Sequence, residues 1–322
     1  MSYSVDSYKQ GENFQYDKLI YEFIVQNRNS TIFHEPNFNR IVSNHFHTKF
    51  IFLIYSKNKI INGICPLHQI ENRFYSALRH YDVVYGGWLF LDKKDYSIAH
   101  KLIPIKSFQA LKEYWSFPDI FNDLSQLKFK IKTKTAFVEL EKELDLIFQN
   151  DIQSKRRNMI KKALKNDLII DSGGEELMPR FYNLLSYTYY KASLKMRPLE
   201  YYTDILKHYY PKNQAICMIA KKNNQDLSGI LLLRNKNFSQ YWLGATNEIN
   251  FNLGSSELLQ WEAIKWSKKK GSTYYDLCVV DPEKLLNISR FKLGFSKTLV
   301  PFYFTNNKPI LFRIINKLKK SK

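Results

Sequence analysis

Residues 215–246 read AICMIAKKNNQDLSGILLLRNKNFSQYWLGAT, and this stretch decides the fold class. Two apolar runs flank the polar turn KNNQD, and a third run, SQYWLGAT, follows the polar tripeptide NKN. Apolar runs of this length, separated by short Asn-rich turns, are typical of antiparallel strands joined by hairpins. The stretch therefore predicts three consecutive antiparallel strands.

The residues that follow extend this sheet with alternating helices and strands. The segment SSELLQWEAIKWSKKKG carries Leu259, Ala263 and Trp266 at i, i+4 and i+7, which predicts an amphipathic helix that stops at Gly271. STYYDLCVV predicts a strand, a short helix begins at Pro282, and KTLVPFYF predicts a last strand. The second half is therefore predicted as three strands, helix, strand, helix, strand.

The first half of the chain has a similar mixture of strands and helices. KFIFLIY and IINGICPLHQI surround the polar SKNK and predict a hairpin, and INGI at 61–64 resembles LSGI at 227–230. A basic helix, SKRRNMIKKALK at 154–165, follows the first half. We therefore predict two domains of mixed α and β structure, residues 1–150 and 151–322.

The charge balance points to an anionic partner. The 49 Lys and Arg residues outnumber 30 Asp and Glu, which leaves a net charge of +19 and favours nucleic acid, nucleotide-linked substrates or anionic lipid. Cys65, Cys217 and Cys278 lie in separate apolar runs and are predicted to be buried, reduced thiols. No run approaches the roughly 18 apolar residues of a membrane span, so we expect a cytoplasmic protein, free or peripheral to the membrane.

Several common catalytic motifs are absent from the sequence. It contains no G-x-x-x-x-G-K-[ST], no strand-linked G-x-G-x-x-G and no G-x-S-x-G, which disfavours nucleotide hydrolysis, dinucleotide redox chemistry and the common serine-hydrolase arrangement. His45 and His47 have no second pair of ligands at metal-binding spacing. We therefore expect no metal site and no tightly bound cofactor.

Two places can bind an anionic group, and each also has a purely structural interpretation. Gly254, Ser255 and Ser256 open the amphipathic helix, where free N–H groups can hold a phosphate or carbonyl oxygen, or the serines can cap the helix. Arg197 directly precedes Pro198, so its side chain can grip a diphosphate across a cleft or solvate a helix end.

Lys292 is the third candidate. In SRFKLGF it stands between Phe291 and a turn at Gly294, with Phe295 on the far side. A lysine held in this way can stabilise an oxyanion or clamp a phosphate, whereas the alternative is a surface lysine on an aromatic platform.

The chain resembles the Fem family of peptidoglycan-bridge aminoacyltransferases and their acyltransferase relatives. The resemblance is carried by RRNMIKKALK, FYNLLSYTYYKASLKMRPLEYY, GSSELLQWEAIKWSKKKGSTYYDL and ISRFKLGF, preceded by TIFHEPNF and YGGWLF, in family order over most of residues 30–305. It implies two tandem GNAT-like domains, each a mainly antiparallel twisted sheet flanked by helices.

The resemblance also implies roles for individual residues. Phe291 and Lys292 match the pair that handles the acyl-donor end, Arg197 matches an arginine that binds acceptor diphosphate, and Tyr85 belongs to the Tyr-Gly-Gly turn and is expected to contact substrate. Asp276 matches the Asp of a Tyr-Asp-Phe-Gly-Gly strand end. Here that segment reads YYDLCVV, so the glycines are missing and the loop beyond is expected to be shaped differently.

The function implied is transfer of an acyl or aminoacyl group to an amine of a cell-envelope precursor or surface-glycan sugar, nucleotide- or lipid-linked. Aminoacyl-tRNA as donor fits the basic charge, and acyl-CoA fits the helix opening at Gly254; the choice stays open, as does the proton acceptor, which is Asp276, water or substrate. The alternative function is a non-catalytic scaffold that binds RNA or anionic membrane, with the basic tail at 308–322 on the membrane surface.

Overall fold

The chain forms two compact units. The computed structural model describes residues 2–71, 76–81, 84–92, 94–103, 110–116, 118, 131–247 and 252–307, so the basic tail at 308–322 lies outside the described residues. Unit 1 comprises Met1–Lys134 with Val300–Lys322, and unit 2 comprises Thr135–Leu299.

The helices and strands follow one another in chain order. Unit 1 holds β1 (Tyr3–Tyr8), α1 (Phe14–Gln26), α2 (Pro36–Phe46), β2 (Lys49–Lys57), β3 (Ile60–Glu71), β4 (Ser76–Arg79), β5 (Leu89–Phe90), α3 (Asp95–Leu102) and β6 (Ala110–Trp115). Next come β7 (Ile131–Glu139), α4 (Leu144–Leu146), α5 (Ser154–Lys165), β8 (Ile169–Gly173), α6 (Met178–Lys191), α7 (Leu199–Tyr209), β9 (Ala215–Lys222), β10 (Gln225–Asn235), β11 (Phe238–Thr246), α8 (Ser255–Lys269), β12 (Tyr274–Val280), α9 (Leu286–Lys292) and β13 (Thr298–Asn307).

Unit 1 is built on a sheet with strand order β1-β2-β3-β4-β6-β13, and β5 pairs with β3. Its neighbouring strands are antiparallel except β4 and β6. The predicted hairpin is β2 and β3, whose turn residues Asn58 and Lys59 have φ angles of 48° and 68°. Ile20 and Phe23 of α1 pack against this hairpin at Phe52, which closes one side of the core.

The strands of unit 2 are hydrogen-bonded in the order β7-β12-β11-β10-β9-β8. The three strands predicted from residues 215–246 are β9, β10 and β11, and they pair as an antiparallel meander. Asn223 and Asn224 supply the two left-handed residues of the first turn, with φ angles of 50° and 59°. Two-residue turns of this kind match the twist of the strands they join, which is why the Asn pair marks the hairpin.

Helices cover both faces of the unit 2 sheet. Leu259 and Ala263 of α8 pack with α5 onto Ile230 of β10, so the predicted amphipathic face of α8 is buried. On the opposite face α6 approaches Gly229, where a Cβ would lie 2.5 Å from the Phe181 ring. A sheet that contains antiparallel hairpins and has helices on both faces confirms the predicted mixed α and β class.

Three boundaries differ from the predictions. Unit 2 starts before residue 150, because Ala136 and Val138 of β7 are packed in its core. It ends at Leu299 and not at residue 322, because β13 pairs with β6 of unit 1. The last helix begins at Leu286 and not at Pro282, because Asp281 caps an intervening turn with its side chain and backbone oxygens.

The three cysteines are buried and unbridged, as predicted. Burial raises the pKa of Cys65, Cys217 and Cys278 above the ordinary thiol value, so each is held as the neutral thiol. No helix in the described part of the chain has the length and apolar character of a membrane span.

Candidate active site

The site lies where two neighbouring strands of unit 2 part from each other. Parallel β11 and β12 are paired from Phe238 to Gln240 and from Tyr274 to Asp276, and the ladder stops there. The register of β11 against β10 shifts next to Tyr241, which is a β-bulge. Bulges bend a strand and re-aim its side chains, so the C-terminal halves of β11 and β12 diverge, and the space between them is here called the β11–β12 cleft.

Lys292 reaches across this cleft from the end of α9. Its Nζ donates a hydrogen bond to the Val279 carbonyl of β12 at 3.0 Å, and lies 5.7 Å from the centre of the Tyr241 ring of β11. Only 9% of Lys292 is exposed, and burial lowers the pKa of its ammonium, while negative charge on Cys278 or Asp276 acts in the opposite direction. The Lys292 side chain is therefore held in one position, which is the geometry that a role at an oxyanion or phosphate requires.

α9 is fixed by an arginine from the basic helix α5. Arg156 forms an ion pair with Glu257 of α8 at 2.6 Å, and its guanidinium lies 4.8 Å from the centre of the Phe291 ring. A Cβ at Gly294 would come within 2.7 Å of the same arginine, so this position has room for glycine alone. Phe291 also packs against Phe295 at 5.3 Å, which explains the aromatic residues on both sides of Lys292.

Asp276 lies beneath the cleft and is fully buried. Its Oδ1 accepts hydrogen bonds from the Thr135 hydroxyl at 2.5 Å and from the Cys278 N–H at 2.8 Å. Burial raises the pKa of Asp276 to about 8, although the Cys278 N–H and the Lys292 charge act in the opposite direction. A carboxyl with a pKa in this range can accept a proton near neutral pH.

Gln240 lies beside Asp276 on the neighbouring strand. The two residues are register partners, so their side chains project from the same face of the sheet. Gln240 is fully buried, and neither of its amide atoms, nor Oδ2 of Asp276, has a hydrogen-bond partner among the described residues. Buried polar atoms are normally paired, so these three are available to a polar group of a ligand.

Cys278 adopts a backbone conformation that is unusual for its residue type. Its φ angle is +60°, in the left-handed region that glycine adopts without cost. This is the position at which the resemblance places the first glycine of Tyr-Asp-Phe-Gly-Gly. β12 therefore contains a left-handed residue two positions before it ends at Val280, although the glycine is missing.

The N-terminus of α8 is closely packed. Gly254 has a φ of +78°, and a Cβ there would lie 2.3 Å from the Met159 carbonyl oxygen, so α5 presses directly on it. The hydroxyls of Ser255 and Ser256 bond to Ser228 at 2.6 and 3.1 Å and do not cap the helix. The first N–H groups of α8 have no acceptor within the helix, so they could bind an anion. The predicted anion-binding role stays a prediction.

Arg197 lies in the loop before α7, and Tyr182 donates a hydrogen bond to its carbonyl oxygen at 3.0 Å. Tyr182 packs on Tyr202 at 6.3 Å, and Tyr202 packs on Trp242 at 5.8 Å, next to the bulge of β11. A series of aromatic contacts thus links the Arg197 loop to β11, the strand that carries Tyr241. The role of Arg197 at a diphosphate stays a prediction.

Tyr85 lies in unit 1 and is 1% exposed, with its ring 5.1 Å from that of Phe302. It is a core residue of unit 1, and its predicted contact with substrate stays untested.

Comparisons with known proteins test the family resemblance and the fold. The model of the FemAB family matches residues 121–226 of the chain. The resemblance to the Fem family is confirmed. No curated protein sequence matches the chain.

Solved structures match nearly the whole chain at low identity. FemX is similar with a TM-score of 0.68 and 14% identity, covering 94% of this chain and 97% of that one. The C-terminal domain of a putative lysylphosphatidylglycerol synthetase from Agrobacterium fabrum has a TM-score of 0.56 and 12% identity, covering 94% and 95%. A tandem GNAT protein from the clavulanic acid biosynthesis pathway has a TM-score of 0.53 and 7% identity, covering 94% and 98%. These likenesses confirm the predicted GNAT-like fold.

Sequence reasoning did not single out Gln240, Tyr241 or the link from Arg156 to Phe291. Gln240 carried a usable signal, because it is a long polar residue inside an otherwise apolar strand pattern. The contacts of Tyr241 and Arg156 depend on a bulge and on helix packing, which no local pattern encodes.

Proposed function

We propose that the protein is an acyltransferase that moves an acyl or aminoacyl group to an amine of a cell-envelope precursor. The observation that carries the proposal is the buried ammonium of Lys292, held between Val279 and Tyr241 at the mouth of the β11–β12 cleft. The Fem resemblance and the fold support the same reaction class.

The donor carbonyl enters the cleft with its oxygen toward Lys292. One N–H of the ammonium is bound to Val279, which fixes its direction and leaves two donors for the oxyanion that forms during acyl transfer. A fixed donor in a site with little water stabilises this charge much more than a mobile surface lysine does. The first N–H groups of α8 are a second source of donors for a phosphate or carbonyl oxygen of the acyl donor.

The acceptor amine attacks the carbonyl carbon, so a C–N bond forms and the bond to the donor oxygen or sulfur breaks. The amine loses a proton in this step, and Asp276 is the proposed acceptor because its carboxyl is buried beside the cleft with one oxygen unpaired. The Gln240 amide is proposed to hold the amine or a water that carries its proton. The leaving group is the ribose oxygen of an aminoacyl-tRNA or the sulfur of an acyl-CoA.

The amine acceptor is proposed to be nucleotide- or lipid-linked, with Arg197 at its phosphate groups. The name of one similar structure, a lysylphosphatidylglycerol synthetase domain, supports a lipid-linked acceptor as much as a sugar-linked one.

The test compares a deletion strain with strains that carry the wild type, Lys292→Met or Lys284→Met. Lys284 is a matched control, because it is a lysine eight residues away that is 79% exposed. Mass spectrometry of peptidoglycan, surface glycan and lipid should show one acyl or amino-acid substituent missing in the deletion strain and in Lys292→Met, and present with Lys284→Met.

With purified protein, aminoacyl-tRNA and acyl-CoA are offered separately to the acceptor found in this way. Lys292→Met is expected to slow transfer by about 100-fold or more, the effect of removing one oxyanion donor. Equal rates for Lys292→Met and wild type would exclude the assigned role. A deletion strain with an unchanged envelope, and no transfer from either donor, would favour the non-catalytic alternative.

A further inference from the structure

A second concave surface of unit 2 lies away from Lys292 and Asp276. It is a groove of about 500 Å³ between α5, α8 and the strands β8 and β9. Its floor is apolar and includes Leu168, Met218 and Leu258, and Leu164 stands at its edge with 58% of its surface exposed. Exposed apolar surface of this kind marks a binding site for an apolar partner.

The wall of the groove formed by α8 is amphipathic. Glu262, Lys265, Trp266 and Lys269 all line it, and they follow one another at i, i+3, i+4 and i+7 along a single helix face. Lys265 is paired with Glu262 at 2.5 Å, whereas Lys269 is exposed. A Trp ring between two lysines is the arrangement found where an apolar surface meets charged lipid headgroups.

The groove carries an excess of positive charge at its rim. On α5, Lys161 is exposed and lies one turn before Leu164 on the same helix face. Together with Lys265 and Lys269 it outnumbers Glu262, the acidic residue that lines the groove. An occupant must therefore combine an apolar portion with negative charge.

We propose that this groove binds an anionic membrane surface, with a lipid chain on its apolar floor and lipid phosphates at Lys161 and Lys269. A second copy of this chain would bring the same lysines face to face across a two-fold interface, which like-charge repulsion opposes. The basic tail at 308–322 is repelled by the same charge. RNA satisfies the lysines but leaves the exposed Leu164 and the apolar floor at Leu168 and Met218 without an apolar partner.

The proposal is tested by vesicle co-sedimentation of the full-length protein. Vesicles of phosphatidylcholine alone are compared with vesicles that contain phosphatidylglycerol, at low and high salt. The variant Lys161→Glu/Lys269→Glu changes the rim, and Leu164→Asp changes the apolar edge. The control Lys195→Glu/Lys207→Glu makes the same change of net charge at two exposed lysines, one on α7 and one in the loop before it, on the opposite face of the sheet.

Binding is expected only with phosphatidylglycerol, and it should weaken as salt screens the charges. The rim variant and Leu164→Asp should each bind at least about tenfold more weakly, since each basic residue near the surface contributes about 1 kcal/mol, whereas the control pair should change binding by less than about twofold. Brominated lipid chains should quench tryptophan fluorescence in the wild type, and Trp266→Phe should lose most of that quenching while it still binds.

Four results would overturn the proposal. They are no binding to either vesicle, equal loss in the rim and control variants, unchanged quenching in Trp266→Phe, and binding to RNA without binding to vesicles. A fifth such result is vesicle binding that is lost only when the basic residues of the tail are changed to glutamine, because it would assign membrane contact to the tail. None of these results depends on an acyltransferase assay, so this proposal is tested independently of the proposed function.

Discussion

Asp276→Asn should remove a pH dependence that a buried carboxyl imposes on folding stability. Burial raises the pKa of Asp276 to about 8, although the Cys278 N–H and the Lys292 charge act in the opposite direction. A carboxyl whose pKa is higher in the folded protein than the unfolded value of about 3.9 stabilises the folded state at low pH. That contribution is lost as the pH rises toward the folded pKa. Asparagine keeps an oxygen for Thr135 and for the Cys278 N–H but cannot ionise.

The size of the effect follows from the two pKa values. Each pH unit between them corresponds to about 1.4 kcal/mol, so from pH 5 to pH 8 the wild type should lose at most about 4 kcal/mol relative to Asp276→Asn. The loss is reduced where the Lys292 ammonium stabilises the carboxylate. The assay is urea unfolding followed by tryptophan fluorescence at several pH values, and the free energy of unfolding of the variant should exceed that of wild type increasingly toward pH 8.

Asp171→Asn is the matched control, because Asp171 lies in the same unit and its pKa is shifted the opposite way. Hydrogen bonds from Lys221 and Arg180 lower the pKa of Asp171. Its contribution is present above the unfolded pKa and is lost as the pH falls, so Asp171→Asn should destabilise the protein at neutral pH by up to about 1 kcal/mol, since the pair is partly exposed. A difference between Asp276→Asn and wild type that stays flat with pH, or grows toward low pH, would refute the reasoning.

Two further predictions concern the packing that holds the site. Gly254→Ala should lower the free energy of unfolding by about 2–4 kcal/mol, because the new Cβ meets the Met159 carbonyl at 2.3 Å. Gly271→Ala has the same φ of +78°, but its new Cβ would have Arg234 Nη2 as its nearest neighbour at 4.0 Å, so it should cost only about 1 kcal/mol. Equal losses in the two variants, by thermal or urea unfolding, would show that the close approach of α5 has no effect. Arg156→Met should cost about 2–4 kcal/mol, because it leaves the buried Glu257 carboxylate unpaired, and adding Glu257→Gln should restore most of that loss. A double-mutant cycle measures this coupling, and purely additive losses would contradict it.

The parts of the fold that the sequence predicts are those set by local chemistry. The turns at Asn58 and Asn223 use left-handed residues that their residue types favour, so both hairpins could be predicted. Gly271, with a φ of +78°, ends α8 for the same reason. The boundary of unit 2 could not be predicted, because β7 joins that core through contacts with residues more than 70 positions away, which no local pattern records.

Some features of the candidate site could also be predicted from the sequence and others could not. Lys292 could be identified because its aromatic neighbours and Gly294 are adjacent in sequence. The direction of its side chain could not be predicted, because the Val279 carbonyl and the Tyr241 ring belong to two different strands. Gln240 became a candidate only when its register partner proved to be Asp276.

Cys278 holds an unfavourable backbone conformation at the candidate site. Its φ is +60°, in the left-handed region, where the resemblance expects a glycine, and the differently shaped loop beyond it stays a prediction. For a residue with a Cβ this conformation costs on the order of 1–2 kcal/mol. Here the N–H of Cys278 bonds to Asp276 at 2.8 Å, and the next carbonyl, that of Val279, accepts from Lys292 at 3.0 Å. The left-handed conformation of Cys278 directs its own N–H toward Asp276 and the Val279 carbonyl toward Lys292. The backbone strain therefore lies where it positions both the proposed proton acceptor and the proposed oxyanion donor.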